Sequence, residues 1–181
     1  MSASEFQRQP EPRSTSVTAS IVDNVVVLCR LLPYALVGLA LRLIMARVFF
    51  LSGQPKIAGP VIQVPLPFAD GPFPVTLPAE IRQSTFELFA KDYAALPMSP
   101  TTAAHLFSYA EFVLPICLVL GFATRLSALA LFVLTALIQL YVAPEALWTA
   151  HIYLIAILLV LMSVGPGAIS ADALIRALYR K

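Results

Sequence analysis

Charged residues are scarce in this chain. Only 12% of its 181 residues are Asp, Glu, Lys or Arg, whereas 59% are hydrophobic. Soluble domains carry about a quarter charged residues, so this scarcity excludes an ordinary soluble domain. The formal net charge of +2 comes without a basic cluster, which argues against nucleic acid as a partner.

Cysteine and histidine are also rare, with two residues of each type. The sequence has no haem-type C-x-x-C-H motif, no set of cluster cysteines and no Rossmann glycine fingerprint. The chain therefore carries no electron carrier of its own, and we expect at most a non-autonomous subunit of a membrane oxidoreductase. His105 and Glu111 are six residues apart, which places them about 240° apart around a helix once a full turn is subtracted. Their side chains therefore do not share a helical face, and we expect no metal site.

Long hydrophobic runs are what the chain has instead. A helix of roughly 20 residues covers the hydrocarbon core of about 30 Å, and no ten-residue alternation of a membrane barrel occurs. The sequence predicts an all-α membrane protein that contacts the lipid bilayer through a four-transmembrane-helix bundle. The predicted spans are residues 31–52, 102–122, 124–142 and 147–164.

The segments around the spans differ in composition. Residues 1–20 are rich in Ser, Pro and Arg and are predicted to form a disordered cytoplasmic tail, followed by the transmembrane domain, residues 21–164. An external insert, residues 54–100, combines a proline-rich loop that disfavours an ordinary helix or a central strand with an amphipathic helix over residues 78–96. Residues 165–181 form a cytoplasmic C-terminal segment.

Several residues mark where elements begin and end. Gly53 is predicted to end the first span, and Lys56 is then interpreted as a cation at the membrane interface. The segment before Thr102 caps the second span, and Gly121 opens a tight turn that makes the second and third spans antiparallel neighbours. Ser170 is a candidate cap for a short C-terminal helix.

The basic residues predict the orientation. Most of those outside the spans fall on the side of the two termini, which the positive-inside rule places in the cytoplasm. Because the first twenty residues are polar, we expect the first span to be a retained anchor rather than a cleaved leader. The expected location is the bacterial inner (plasma) membrane.

Glu111 lies at the middle of the second span. A charge at that depth costs about 2.5 kcal/mol or more, so it needs a partner. Arg42 lies near the middle of the first span, level with Glu111 by counting, and we predict that the two pair at the bundle centre. The pair is a candidate catalytic, proton-handling site; a structural ion pair that only fixes helix register is the alternative.

A second set of polar residues has one member in each span. Arg47, His105, Gln139 and His151 are predicted to lie within about two turns of the outer face, where bundle cores can hold ligands. They are therefore candidate cofactor-binding residues. Two alternatives stay open: Arg47 extends to the interface along its long stem, and the histidines face lipid headgroups.

Three segments carry a family resemblance: LRLIMARVFFLSGQPKI, YAEFVLPICLVLGFATRLSALAL and GPGAISADALI. Together they resemble the DoxX family of small four-helix membrane proteins, from about Leu41 onward. The resemblance implies a role near redox chemistry. One relative, DoxD, is a membrane subunit of thiosulfate:quinone oxidoreductase, and other members look like partners of enzymes that handle sulfur compounds or oxidative stress.

Two hypotheses about function follow. In the first, the chain is a subunit or partner of a quinone-linked redox system, in which Arg47, His105 and His151 bind the head group and Glu111 takes up the proton. In the second, it is a non-catalytic scaffold or assembly factor that anchors a partner protein. A small-molecule transporter is a third hypothesis and would need a homo-oligomer.

Overall fold

The computed structural model describes residues 34–65 and 71–179. This part of the chain is mostly helical, and four of its segments are long and apolar enough to cross a membrane: Tyr34–Lys56, Pro100–Leu120, Thr124–Tyr141 and Pro144–Val164. The predicted four-helix membrane fold is confirmed. The predicted disordered tail, residues 1–20, and the residues that follow it up to Pro33 lie outside the described residues.

Six α-helices occur in the described residues. The four spans contain α1, α3, α4 and α5, while α2 belongs to the insert and α6 follows the last span. Their bounds are α1 Tyr34–Gly53, α2 Gln83–Lys91, α3 Pro100–Leu120, α4 Thr124–Tyr141, α5 Ile152–Val164 and α6 Ala171–Tyr179.

Local capping chemistry sets the ends of α3 and α6. The Ser99 hydroxyl accepts a hydrogen bond from the Thr102 backbone N–H at 3.2 Å, and the Ser170 hydroxyl accepts one from the Ala173 N–H at 3.1 Å. Gly121 ends α3 with a φ of 67°, a conformation that glycine adopts without penalty. Both predicted caps and the predicted tight turn are confirmed.

The fourth span begins irregularly. A 3₁₀ turn at Pro144–Ala146 leads into a π-helical stretch at Leu147–His151, and α5 continues from there. Within an apolar stretch of 18 residues in this span, only 11% is buried inside the protein, whereas the corresponding stretch of Pro100–Leu120 is 39% buried. Most of the surface of the fourth span is therefore available to lipid.

Two buried clusters hold the helices together. The first lies among the four spans, and the second joins α2 and the residues after it to the first half of α3 and to α4. The first cluster contains Met45, Ala46, Phe49, Leu118, Ala128, Leu131, Leu158 and Leu161. The second contains Phe89, Leu96, Ala103, Ala104, Phe107 and Leu134.

The insert folds into short strands and a helix. The strands are β1 Ile57–Ala58, β2 Val61–Val64, β3 Phe73–Thr76 and β4 Glu80–Ile81; β1 pairs antiparallel with β4, and β2 with β3. Each sheet has two strands, so every strand is an edge strand. This agrees with the prediction that the proline-rich loop disfavours a central strand. Because Glu80 and Ile81 pair with β1, the amphipathic helix begins only at Gln83, and it packs on α3 through Phe89.

The bundle has two different ends, the insert end and the turn end. The insert end carries β1–β4 and α2 beside the beginning of α3. The turn end carries the Gly121–Ala123 connection, residues 165–170 and α6. Because α3 runs from one end to the other, positions along it serve as a scale of depth.

Candidate functional site

Glu111 is paired with Lys56. The Lys56 ammonium donates hydrogen bonds to both carboxylate oxygens, at 2.7 Å to Oε1 and 2.5 Å to Oε2. The side chains are only 12% and 4% exposed, so the two charges neutralise each other away from solvent. The prediction that Glu111 pairs with Arg42 is wrong.

The reason is the register between α1 and α3. A Cβ placed on Gly53 would lie 3.1 Å from the Cβ of Glu111, so α1 ends level with the middle of α3. Lys56 follows directly in a 3₁₀ turn and reaches back to the carboxylate. Arg42 lies about 16 Å further down α1, at about 1.5 Å per residue. Counting from the sequence assumed that both helices cross the membrane in register.

The insert holds the backbone at Lys56. The Lys56 carbonyl accepts hydrogen bonds from the Arg82 N–H at 3.0 Å and from the Thr85 hydroxyl at 2.9 Å. The Arg82 side chain also donates from Nε to the Ile57 carbonyl at 2.7 Å. The start of α2 therefore fixes the position from which the Lys56 side chain extends.

Other polar groups surround the Glu111 carboxylate. The Ser52 side chain lies beside it, and Tyr93 lies above it at the insert end. Burial raises the pKa of the Tyr93 phenol, and the negative charges of Glu111 and Asp92 raise it further. Ser108 is buried one turn away on α3, and its hydroxyl has no hydrogen-bond partner among the described residues. The arrangement can anchor the insert, and it can also hold a proton.

Arg42 is buried at the turn end. It donates from Nε to the Gly38 carbonyl, from Nη1 to the Leu118 carbonyl, each at 3.3 Å, and from Nη2 to the Ile169 carbonyl. A cation is favoured beside the last carbonyls of a helix, and Leu118 lies in the last turn of α3. Arg42 thus joins α1, α3 and residues 165–170. Its role in proton handling stays a prediction.

Arg47 lies on the outer surface of α1. Its side chain is exposed between Leu43, Ile44 and Leu51, which are exposed as well. By helix geometry it lies about 9 Å below the level of Glu111. Within residues 34–65 and 71–179 no carboxylate lies within 4 Å of it.

His105 lies beside a groove between α3 and α4. The groove has a volume of about 530 Å³ and is lined mainly by apolar side chains, with Tyr109, Val113 and Leu134 among them. The Thr101 carbonyl lies 2.8 Å from Nδ1 of His105. A carbonyl can only accept, so Nδ1 carries the proton and Nε2 is free to accept a hydrogen bond.

Gln139 and His151 bind each other between α4 and the π-helical stretch. The Gln139 Nε2 donates to the Pro144 carbonyl at 2.7 Å, and its Oε1 lies 2.6 Å from Nδ1 of His151. Because Oε1 can only accept, Nδ1 of His151 carries the proton. Gln139 is about 140° around α4 from Leu134, and so it lies away from the groove. Of the four predicted ligand residues, the structure brings these two together and leaves Arg47 and His105 elsewhere.

Glu111 and the groove lie on different faces of α3. Glu111 is about 240° around the helix from His105, and it faces α1 while the groove faces α4. A ligand in the groove therefore does not touch the carboxylate. No group of three or more His, Cys, Asp or Glu side chains that could bind a metal occurs in the part of the chain that the structure describes.

Sequence reasoning missed two residues of these sites, Lys56 and Tyr109. The position of Lys56 after the glycine that ends the first span is typical of a cation at the membrane interface, and so it does not indicate a buried pair. The signal in the sequence is its distance from Gly53. A lysine three residues after a glycine can reach a carboxylate that packs against that glycine, but only the structure shows that Gly53 packs against Glu111. Tyr109 gave no signal, since a tyrosine in an apolar helix is usually a packing residue.

The model of the DoxX family matches residues 37–144, more than half of the chain. The match includes most of α1, the insert, α3 and α4, and it ends before α5 begins. No curated protein and no solved structure matches the chain.

Proposed function

Because the chain belongs to the DoxX family of membrane proteins, we propose that it is a membrane subunit or partner of a quinone-linked redox system that handles sulfur compounds or oxidative stress. In this proposal a partner protein delivers the electrons, since the sequence has no carrier motif of its own. The chain binds the quinone and exchanges protons with it.

The groove beside His105 is the observation that supports this proposal most directly. It is open on the side of the membrane and its lining is almost wholly apolar, which suits an isoprenoid tail. His105 and Tyr109 lie along the same wall of the groove. The groove itself exposes almost no polar surface, so in this proposal the tail fills the groove and the head group reaches the polar atoms of His105 and Tyr109 at its rim.

The two polar side chains complement each other. The chemistry that a bound quinone supplies is the uptake of two electrons and two protons. The Tyr109 hydroxyl can donate a hydrogen bond to a quinone carbonyl, while the free Nε2 of His105 can accept one from a quinol hydroxyl. His105 is also the group that can take up a proton there, because its Nε2 has a free lone pair.

In the same proposal the Lys56–Glu111 pair fixes the insert above the bundle. Since Glu111 faces away from the groove, it acts on the insert rather than on the head group. Proton handling by Glu111 would require a route around α3 past Ser108, and it stays a prediction, as does the participation of Arg42. We also propose that the turn end faces the cytoplasm, because Arg125 and Arg176 lie at that end.

A quinone-dependent melting shift tests the proposal. Purified protein in detergent is melted with and without decylubiquinone or menaquinone-2. A ligand at about 100 times its Kd stabilises the folded state by about 2.7 kcal/mol. The shift should be present in the wild type and lost in His105→Leu. His151→Leu is the matched control, since it removes the other histidine, and it should keep the shift. Equal behaviour of the two variants would contradict the proposal.

A non-catalytic scaffold is the second candidate function. The clamp on Lys56 favours it, because the hydrogen bonds from Arg82 and Thr85 hold the insert and contact no ligand site. A scaffold predicts that quinones leave the melting temperature unchanged. It also predicts that Lys56→Met weakens copurification of the partner while His105→Leu does not.

A further inference from the structure

A second pocket lies at the turn end, away from the groove and from Glu111. It has a volume of about 380 Å³ and is formed by the end of α5 with residues 164–168, by Arg125 near the start of α4 and by Arg176 on α6. About half of its lining is polar. It therefore differs in chemistry from the apolar groove between α3 and α4.

The two arginines leave most of their donors unused. Arg125 donates from Nη2 to the Ser163 carbonyl at 3.3 Å, and Arg176 donates from Nε to the Asp172 carbonyl at 3.2 Å. Each guanidinium has five N–H donors, so several on each remain for a ligand. Gly165 lets Arg125 lie close to the backbone, since a Cβ there would be 3.0 Å from its Nε.

The nearby carboxylate does not neutralise this positive charge. Asp172 accepts hydrogen bonds from the Ala123 N–H at 2.8 Å and from the Thr124 N–H at 3.0 Å, which caps α4. In residues 34–65 and 71–179 no carboxylate lies within 4 Å of either arginine. Two cations that line one pocket without a carboxylate favour an anion, and guanidinium groups suit phosphate geometry.

The surfaces beside the pocket are apolar. The nine-residue helix α6 is amphipathic and leaves Leu174, Leu178 and Tyr179 exposed, as expected of a helix that lies in a membrane interface. Leu126 at the start of α4 and Val164 at the end of α5 are exposed next to it. The pocket thus lies where the spanning helices meet an interfacial helix, which is the depth of lipid phosphates.

We propose that this pocket binds the headgroup of an anionic phospholipid from the leaflet at the turn end. Arg125 and Arg176 contact the phosphate, the acyl chains follow the exposed side chains of α4 and α5, and the apolar face of α6 lies among neighbouring lipids. The chemistry that selects the lipid is its net negative charge, which a zwitterionic phospholipid lacks. Basic pockets at the ends of transmembrane helices bind such headgroups in other membrane proteins.

Lipid selection by the full-length protein in detergent tests the proposal. Native mass spectrometry compares bound phosphatidylglycerol with bound phosphatidylcholine at equal supply. Each basic residue near an anionic surface contributes about fivefold, so two predict a preference of about 25-fold. Arg125→Gln with Arg176→Gln should reduce that preference to near one. Arg47→Gln with Lys91→Gln removes the same charge from exposed sites elsewhere and should leave it unchanged.

One more variant and one competition experiment separate lipid binding from unfolding and from binding of free phosphate. Ala177→Glu leaves both arginines and their backbone hydrogen bonds in place but adds a carboxylate at the pocket wall, so it should also abolish the preference. Inorganic phosphate is added at millimolar concentration and should compete weakly. The proposal is overturned if both pocket variants keep the preference, if the control pair loses it equally, or if phosphate alone displaces the lipid.

Discussion

The ammonium group of Lys56 bridges both oxygens of the Glu111 carboxylate. Gly53, three residues before Lys56, packs directly against Glu111. These contacts place the end of α1 at the middle of α3. The half of α3 nearest the insert end is therefore covered by the insert instead of by α1. Phe89 of the insert packs there against Phe107, with ring centroids 5.5 Å apart.

The two arginines of α1 should differ sharply in their effect on stability. Arg42→Met removes three hydrogen bonds that a charged group donates to backbone carbonyls, which should lower the free energy of unfolding by about 3 kcal/mol or more. Arg47→Met replaces an exposed side chain and should change it by less than about 0.5 kcal/mol. Melting in detergent measures both, and equal losses would contradict the assigned burial.

Gly121 should tolerate no side chain. Its φ of 67° disfavours an L-residue, and a Cβ there would overlap Nη1 of Arg42. Gly121→Ala should therefore lose about 2 kcal/mol or more. Gly71→Ala is the control, since a Cβ at Gly71 meets no atom within 4 Å. A Gly121→Ala protein that melts like the Gly71→Ala protein would show that the turn is not as close to Arg42 as the structure has it.

Elements with local causes could be predicted from the sequence. Ser99, Ser170 and Gly121 act on residues next to them along the chain, so their roles follow from short-range chemistry. The four spans could be predicted because each apolar run is about as long as a helix that crosses the bilayer. The same reasoning could not predict the short strands of the insert, because the pairing of Ile57 with Ile81 depends on residues far apart in sequence.

The partner of Glu111 was missed for a related reason. Depth was counted from helix ends, as if α1 and α3 began and ended at the same levels. Tyr34 donates a hydrogen bond to the Gly165 carbonyl, and Gly53 meets Glu111, so long-range contacts set the vertical position of α1. Arg42 is consequently displaced to the turn end, and Lys56 takes the place that had been assigned to it.

Cysteine labelling tests the proposed orientation. With Cys29 and Cys117 replaced, Glu80→Cys places a thiol on the exposed surface of the insert, and Tyr179→Cys places one on α6. An impermeant maleimide should label Glu80→Cys in intact cells and Tyr179→Cys only after permeabilisation. The reverse pattern would show that the turn end faces outward.

A double-mutant cycle on Lys56 and Glu111 tests the central claim that these two residues, and not Arg42 and Glu111, form the buried pair. Lys56→Met and Glu111→Gln each leave a buried polar or charged group without its partner. Each should lose about 3 kcal/mol of unfolding free energy, a figure that lipid and water defects can soften. The double variant should lose clearly less than the sum, with a coupling of about 2 kcal/mol.

The matched cycle combines Arg42→Met with Glu111→Gln, and is measured in the same detergent. Because about 16 Å of helix separates Arg42 from the level of Glu111, those two losses should add to within about 0.5 kcal/mol. Strong coupling for Lys56 with additivity for Arg42 is the predicted result. Additivity for Lys56, or coupling for Arg42, would contradict it.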